Sequence, residues 1–351
     1  MQRKGLIDMI KRIGILTGGG DCPGLNPAIR GAVYRALDYN YEVYGIEEGW
    51  GGLIKGDINL LSLSEVREIV DRGGTILGTS RLNPYKIEQG VEKVLESIEK
   101  FKLDALVAIG GEDTLGVANK LYKEKKIKLV GAPKTMDNDL SGTDYTFGFN
   151  SSVTKAMEAM QSLQDTGRSH RRIMVLEVMG RHAGWVALFT GLASGTDWTL
   201  IPEEKIDLEK MCQHLKEVYR KNKHASIVIS EGVILPGVDT GKEELDQFGH
   251  MILRKRGVGN LLADLIKEKT GIETRHAVIG HIQRGGSPTL FDRILGLRCG
   301  VTAVDLIAQG KFGYMAALKG NKVIGIPLEE AVSKLKTVDK KWWELAQVFF
   351  K

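Results

Sequence analysis

Seven consecutive residues, Pro133-Lys134-Thr135-Met136-Asp137-Asn138-Asp139, crowd two carboxylates, a lysine and a hydroxyl just behind an apolar run. Phosphoryl transfer uses such a mixture: a base takes a hydroxyl proton, and cations hold the charge on the transferring group. Upstream, Gly110-Gly111-Glu112-Asp113-Thr114 is a glycine turn carrying two more acids. Such a pair at a phosphate site makes sense if one acid holds Mg²⁺, which prefers oxygen ligands and bridges to phosphates; Glu112 is the choice for that role. An Asp or Thr at a helix start also serves as a plain cap.

A third turn, Gly18-Gly19-Gly20-Asp21-Cys22-Pro23-Gly24, has glycines that let backbone N–H groups approach phosphate oxygens. The same turn fits a tight strand-to-helix connection without any ligand. It matches neither G-x-G-x-x-G nor G-x-x-x-x-G-K-[ST], so it carries no dinucleotide or Walker A assignment, and a dehydrogenase reading fails with it. Asn26 before Pro27 predicts a helix N-cap followed by proline at the first helical position.

These turns need elements to hold them. Residues 12–17, 105–109, 128–132, 173–178, 225–230 and 276–280 are short, Val/Ile-rich apolar runs and read as buried parallel strands. Residues 91–101 and 208–219 have helical periodicity. Strand alternating with helix predicts an α/β fold with mostly parallel sheets. Glycine or charged turns follow four of the strands: Gly18 to Asp21, Gly110 to Asp113, Gly180-Arg181 and Glu231-Gly232. Ligands sit at the carboxyl ends of strands in open α/β sheets, so function is expected there.

The bulk numbers exclude several classes. The chain has 351 residues, 42% hydrophobic and 26% charged, which fits one large or two smaller globular domains. With 43 glycines and 8 prolines, tight turns are favoured over linkers. A net charge of +5 is too small and dispersed to argue for nucleic acid. The lysines of 123–128 and 216–223 read as solvated helix faces and ends. Cys22, Cys212 and Cys299 are too far apart for a zinc spacing and odd in number for a disulfide framework. No apolar run approaches the ~20 residues needed to cross a bilayer. The first residues, with Lys4, Asp8, Lys11 and Arg12, lack a signal-peptide core, so a cytoplasmic location is expected.

The ordered segments Thr17 to Pro23, Gly73 through Arg81, Ile109 to Thr114, Thr135 to Gly148, Ser169-His170-Arg171-Arg172, Val178-Met179-Gly180-Arg181, Glu231 and Gly280-His281-Ile282-Gln283-Arg284-Gly285-Gly286-Ser287-Pro288 resemble the phosphofructokinase family. The match runs in order from Ile13 to roughly Val304. The resemblance implies two Rossmann-like three-layer α/β/α domains and the phosphofructokinase fold. It implies transfer of phosphate to the 1-hydroxyl of fructose 6-phosphate, with Mg²⁺. Residues 1–148 plus approximately 283–335 are expected as the donor domain, and approximately 149–282 plus 336–351 as the sugar-phosphate domain.

The resemblance also assigns roles. Asp137 is placed as the base that accepts the 1-hydroxyl proton. Asp139 orients the site or reaches the metal through water, and Thr135 hydrogen-bonds the sugar or transferring group. Gly19, Gly20 and Arg81 belong to the donor phosphates. Met179, Gly180 and Arg181 wrap the sugar, and Glu231 accepts from one of its hydroxyls. Arg275, His281 and Arg284 bind the sugar's phosphate dianion. Arg172 and Arg275 are expected from a neighbouring subunit, so the chain is expected as a homo-oligomer, a dimer at least and a tetramer by family.

Two positions bear on the donor. ATP-dependent bacterial relatives carry glycine where this chain has Asp113 and Lys134. A carboxylate at Asp113 would repel an α-phosphate and fill its space, and Lys134 would put a cation on the terminal phosphate of a short donor. Together they resemble the pyrophosphate-dependent branch, a reversible glycolytic and gluconeogenic step. Asp113 as a cap and Lys134 as a surface lysine is the bland alternative. An ATP-dependent enzyme, a different acceptor such as sedoheptulose 7-phosphate, and a non-catalytic sugar-phosphate-binding relative also remain open. Effector arginines of allosteric relatives are replaced by Tyr34, Leu63 and Gln164, with Arg30 and Lys223 left, so that control is not expected. An apparent insertion between Glu231 and Arg275 has no assigned role.

Overall fold

Runs that are apolar on both faces are stable only where both faces are covered, and here they become parallel strands between helices. The computed structural model describes residues 10–237 and 257–350. Its strands are β1 (Arg12–Thr17), β2 (Glu42–Ile46), β3 (Ile58–Leu60), β4 (Ala105–Gly110), β5 (Leu129–Thr135), β6 (Phe147–Gly148), β7 (Ile173–Val178), β8 (Trp198–Leu200), β9 (Ala225–Ser230), β10 (Thr274–Val278), β11 (Tyr314–Lys319) and β12 (Lys322–Pro327). One sheet has the order β12-β11-β5-β4-β1-β2-β3, with β6 on the end of β5. It is parallel except at its edges, where β11–β12 and β2–β3 are antiparallel. The other sheet, β10-β7-β9-β8, is parallel throughout.

Helices cover both faces of each sheet. On the larger sheet, helices Leu25–Asp38 and Leu290–Ala308 pack on one side and helices Gly90–Lys100 and Glu112–Lys125 on the other. The first pair touches backbone to backbone: a Cβ at Gly31 or Gly300 would land on a carbonyl of the opposing helix. On the smaller sheet, helices Phe149–His170, Trp185–Ser194 and Lys340–Gln347 share one apolar cluster, and Leu208–Asn222 with Val258–Thr270 share the other. The chain changes sheets at β6. Gly148, at φ 103°, turns directly into helix Phe149–His170, and a Cβ there would land on Cys22 Sγ.

Several expectations need correction. Asn26 is no cap: the helix begins at Leu25 behind Gly24. Instead Asn26 Nδ2 donates to the Arg72 and Gly73 carbonyls at 3.0 and 3.2 Å, and Oδ1 accepts from Ile76 N at 2.8 Å. Strand β5 does not stop at 132 but continues through Lys134 to Thr135. Pro133 is tolerated because it falls between the pairing of β5 with β11, which ends at Gly131, and with β6, which starts at Lys134. Strand β10 starts two residues before the expected run. Strands β2, β3, β8, β11 and β12 were not read from the sequence. The lysine runs do sit on helix faces and ends. The three cysteines are free and buried. Among the described residues, no helix is long and apolar enough to cross a membrane. Lys4, Asp8 and most of the apparent insertion after Glu231 lie outside the described residues.

Candidate active site

The carboxyl ends of β1, β4, β5, β7 and β9 face one cavity of about 400 Å³. Gly19, Gly20, Arg81, Glu112, Asp113, Lys134, Thr135, Asp137, Asp139, Met179, Arg181, Glu231, His281 and Arg284 all line it.

One wall is the glycine turn after β1. Gly19, at φ 80°, donates its N–H to the Ser80 carbonyl at 3.0 Å, and Thr79 Oγ1 donates to the Gly19 carbonyl at 2.6 Å. Thr17 Oγ1 donates to the Gly78 carbonyl at 2.6 Å. This lacing brings Arg81 to the cavity. From the end of β5, Lys134 reaches under the turn and donates Nζ to the Gly20 carbonyl. Only 3% of Lys134 is exposed. Burial pushes its pKa down, Arg284 and Arg81 push the same way, and Asp21 opposes them. Burial also raises the Cys22 thiol to about 12, so this close neighbour is uncharged at neutral pH and does not help hold the ammonium. Arg284 Nη1 donates to the Asp21 carbonyl at 3.0 Å, and a Cβ at Gly20 would land on the Arg284 guanidinium. Arg284 thus sits against the donor turn, although the sequence grouped it with the sugar phosphate.

Helix Glu112–Lys125 starts at the floor. Glu112 and Asp113 line both the main cavity and an adjoining groove of about 290 Å³ bounded by Asn83, Tyr85, Lys86 and Lys120. The two acids therefore form the sill between the two spaces, and Asp113 shares the main cavity with Lys134 and Asp137.

The loop after β5 is folded on itself. Asp137 N donates to Thr135 Oγ1 at 3.1 Å, and Thr146 Oγ1 donates to the Thr135 carbonyl at 2.7 Å. Asn138 has φ 52°, a conformation Asn tolerates, and its buried Oδ1 accepts from Thr146 N at 3.1 Å. Asp137 and Asp139 on either side of it both face the cavity. Asp137 Oδ1 is buried without a hydrogen-bond partner. Burial pushes Asp139 up to about 7, with further repulsion from Asp137 and Glu112. Glu231 is likewise raised to about 7 by burial and then by Asp137. Gly180 N points at Glu231 Oε1 at 3.4 Å, and Ser230 Oγ donates to the Gly180 carbonyl. An orphaned buried carboxylate oxygen beside two further acids fits a hard divalent cation. Among the described residues no cluster of three His, Cys, Asp or Glu groups is ready to hold a metal.

The phosphofructokinase family model matches residues 12–307. The chain belongs to the phosphofructokinase family. It is 51% identical over 343 residues to pyrophosphate–fructose 6-phosphate 1-phosphotransferase of Dictyoglomus thermophilum, covering 97% of this chain and 98% of that one. The enzyme of the same name from Amycolatopsis methanolica is 50% identical over 97% of this chain and 99% of its own. ATP-dependent 6-phosphofructokinase 2 of Streptomyces coelicolor is 45% identical over 97% of this chain and all of its own, 100%. Among solved structures, Pichia pastoris phosphofructokinase in the T-state superposes with a TM-score of 0.81 at 30% identity; the match covers 97% of this chain and 36% of that longer one.

In this phosphofructokinase two expected arginines lie outside the cavity. Arg275 stands on edge strand β10, 57% exposed, with Nη2 2.8 Å from Glu273 Oε1. Arg172 precedes β7 and lies close enough to Glu273 to help hold that carboxyl below its usual range, after Lys267 and Arg275. Gly180 is buried behind the lining. Gly111, Thr114 and Met136, quoted within the motifs but given no role at the site, also line the cavity, as does His182, which was missed since a lone His carries no motif signal. Gln283 was quoted without a role. It is fully buried, accepts from Met179 N at 2.8 Å and donates to Ser152 Oγ at 3.0 Å, which fixes the sugar-side loop. At the positions associated with effectors, Arg30 stacks on Tyr34 and donates to its hydroxyl at 3.1 Å, while buried Gln164 donates to the Ser194 carbonyl at 3.0 Å.

Proposed function

We propose that this phosphofructokinase moves a phosphoryl group reversibly between pyrophosphate and the 1-hydroxyl of fructose 6-phosphate. The observation that carries this reading is the shared cavity of Asp113, Lys134 and Asp137, with Asp113 on the sill of the adjoining groove. A carboxylate there disfavours the α-phosphate of a nucleotide passing over the sill, while the Lys134 ammonium suits the near phosphate of a two-phosphate donor. The two relatives named for pyrophosphate support it.

In this mechanism the sugar 1-hydroxyl oxygen attacks the nearer phosphorus, the bridging P–O bond breaks, and inorganic phosphate leaves. Asp137 accepts the hydroxyl proton through its unpartnered oxygen. Lys134 and Arg81 hold the donor against the Gly19–Gly20 turn, whose lack of side chains lets it come close, and Thr135 orients the reacting groups. Glu112 and Asp139 are the residues that would hold Mg²⁺, which would supply charge neutralisation on the donor phosphates. Met179, Arg181 and Glu231 hold the sugar, with Gly180 behind them turning its N–H to Glu231; His281, with Arg172 and Arg275 of a neighbouring subunit, holds its phosphate, and Arg284 braces the donor turn. The exposed large apolar side chains of Val278, Ile282, Leu290 and Phe291 support a homodimer or homotetramer. Residues 1–148 with 283–335 form the donor side in this reading, and 149–282 with 336–351 the sugar side. The buried free cysteines suit a cytoplasmic enzyme.

A coupled assay with each donor tests the proposal. Turnover with pyrophosphate and not with ATP is expected, and Asp113→Gly with Lys134→Gly together should lower kcat/KM for pyrophosphate about 10- to 100-fold, as loss of a charged hydrogen bond does. The groove beyond the sill and the 45% identical ATP-dependent relative favour ATP as the second reading. Efficient turnover of ATP with pyrophosphate ignored would make that reading the right one.

A further inference from the structure

Residues 333–339 run from helix Leu328–Val332 to helix Lys340–Gln347, and on the way they touch both loops that face each other across the cavity. Lys336 N donates to the Asp139 carbonyl at 2.7 Å, next to an antiparallel bridge between Leu140 and Leu335. Ser141 Oγ donates to the Lys334 carbonyl at 2.8 Å. The Lys336 ammonium turns back to the carbonyls of Thr143 and Asp144 at 3.0 and 2.6 Å. On the other side, the Lys336 carbonyl accepts from Trp185 Nε1 at 2.8 Å. Val338 N donates to Glu203 Oε1 at 2.9 Å, and the same carboxylate accepts from Gly184 N at 2.9 Å. Gly184 ends the loop that carries Arg181 and His182.

From this geometry we infer that Lys336 is a positioning residue, which fixes the Asp137–Asp139 loop against the Gly180–Gly184 loop from outside the cavity. The two loops leave different sheets, so nothing in either sheet's register sets their separation. Domains joined by modest interfaces move relative to one another by default. One residue tied through N–H, carbonyl and ammonium to both loops removes that freedom. Spacing of this kind decides rate: a misplacement of about 1 Å costs roughly 10²-fold. A spacer needing only bulk would be apolar. Here an ammonium is half-buried, with its pKa pushed down to about 8 by burial while Asp144 and Asp139 partly restore it. Rings of Trp185 and Tyr145 flank it at 5.4 and 5.9 Å. Burying that charge is costly unless its hydrogen bonds are used.

The inference rests on the reading of Asp137 as the base, and its test has an arm that does not need turnover. In the full chain, Lys336→Met is expected to lower kcat at least about tenfold with KM for both substrates within about threefold, the split expected of lost alignment. Lys336→Arg should recover part of kcat, and Ser141→Ala should lower it about two- to fivefold. Lys340→Ala, 86% exposed, should leave it unchanged. Amide exchange in 136–146 should quicken in Lys336→Met while β1 and β4 stay protected. Unchanged exchange in that loop, kcat within twofold of wild type, or a loss confined to KM would overturn the inference. Should Lys336→Met not fold, Lys336→Arg and Ser141→Ala decide by the same readouts. Wild type inactive with both donors would sink the functional reading, and the exchange arm would still decide the clamp.

Discussion

Lys134 and Asp137 sit three positions apart and receive opposite treatment from their surroundings. Lys134 is sealed under the glycine turn with a carbonyl on its ammonium, so its charge is delivered at one point. Asp137 keeps one buried oxygen without a partner, which leaves it an acceptor for a proton or a cation. Glu231 gives this scale its pH dependence. Its folded pKa of about 7 exceeds its ordinary value of 4.5, because burial and Asp137 oppose its charge. A raised acid binds its proton more tightly in the fold, so this group's contribution to stability is lost as pH rises through about 7. Accepting from a sugar hydroxyl needs the ionised form. kcat/KM for fructose 6-phosphate is therefore expected to fall as pH drops below about 7. Glu231→Gln should lie lower at neutral pH and lose that acid limb. A profile for the variant that still falls at the same pH would assign the limb to another group.

At the scale of elements, what decides the site is how loops are tied to strand ends. Asn26, in the first turn of its helix, holds residues 72–76 by three hydrogen bonds and so anchors the stretch that ends in Arg81. Asn26→Ala leaves two carbonyls and an N–H without their protein partner; these groups are only partly buried, so the cost should be about 1 kcal/mol, the net worth of such hydrogen bonds. Urea unfolding measures that loss, and kcat/KM for pyrophosphate should fall with it as Arg81 loosens. A stability change under about 0.5 kcal/mol would mean water replaces the side chain at no cost. The sequence placed Asn26 in the right turn but gave it the wrong partner. Its identity fits a cap, and only the return of a loop from 72–76 in space gives it another use.

For the whole molecule, the cavity belongs to both sheets, and two of the expected cations are absent from it. Arg275 is exposed on edge strand β10, and Arg172 lies near the same Glu273. If each site borrows them from a neighbour, Asp137→Asn and Arg172→Ala enzymes should both be inactive alone. Co-assembled in equal amounts as dimers, they should recover about a quarter of wild-type activity, since one site of each hybrid holds both native groups. No recovery from mixed oligomers verified by mass would place Arg172 in its own subunit's chemistry.

The sequence by itself settled the α/β class and the central strands, because buried parallel strands and the turns behind them have local signatures: apolar runs, then glycine and charge; residues such as Arg81, His281 and Arg284 were named through the family resemblance. It could not settle edge strands such as β3, β8 and β12, which are short or half-exposed and depend on a neighbour for their pairing. Nor could it place Gln283, Asn26 or Lys336, whose partners lie 104, 50 and 193 residues away along the chain. Tertiary structure alone decided that Arg284 rests on the donor turn and that Asp113 stands on a sill. Which two turns share a cavity is set by the order of strands across a sheet, and that order is written in contacts distant along the chain.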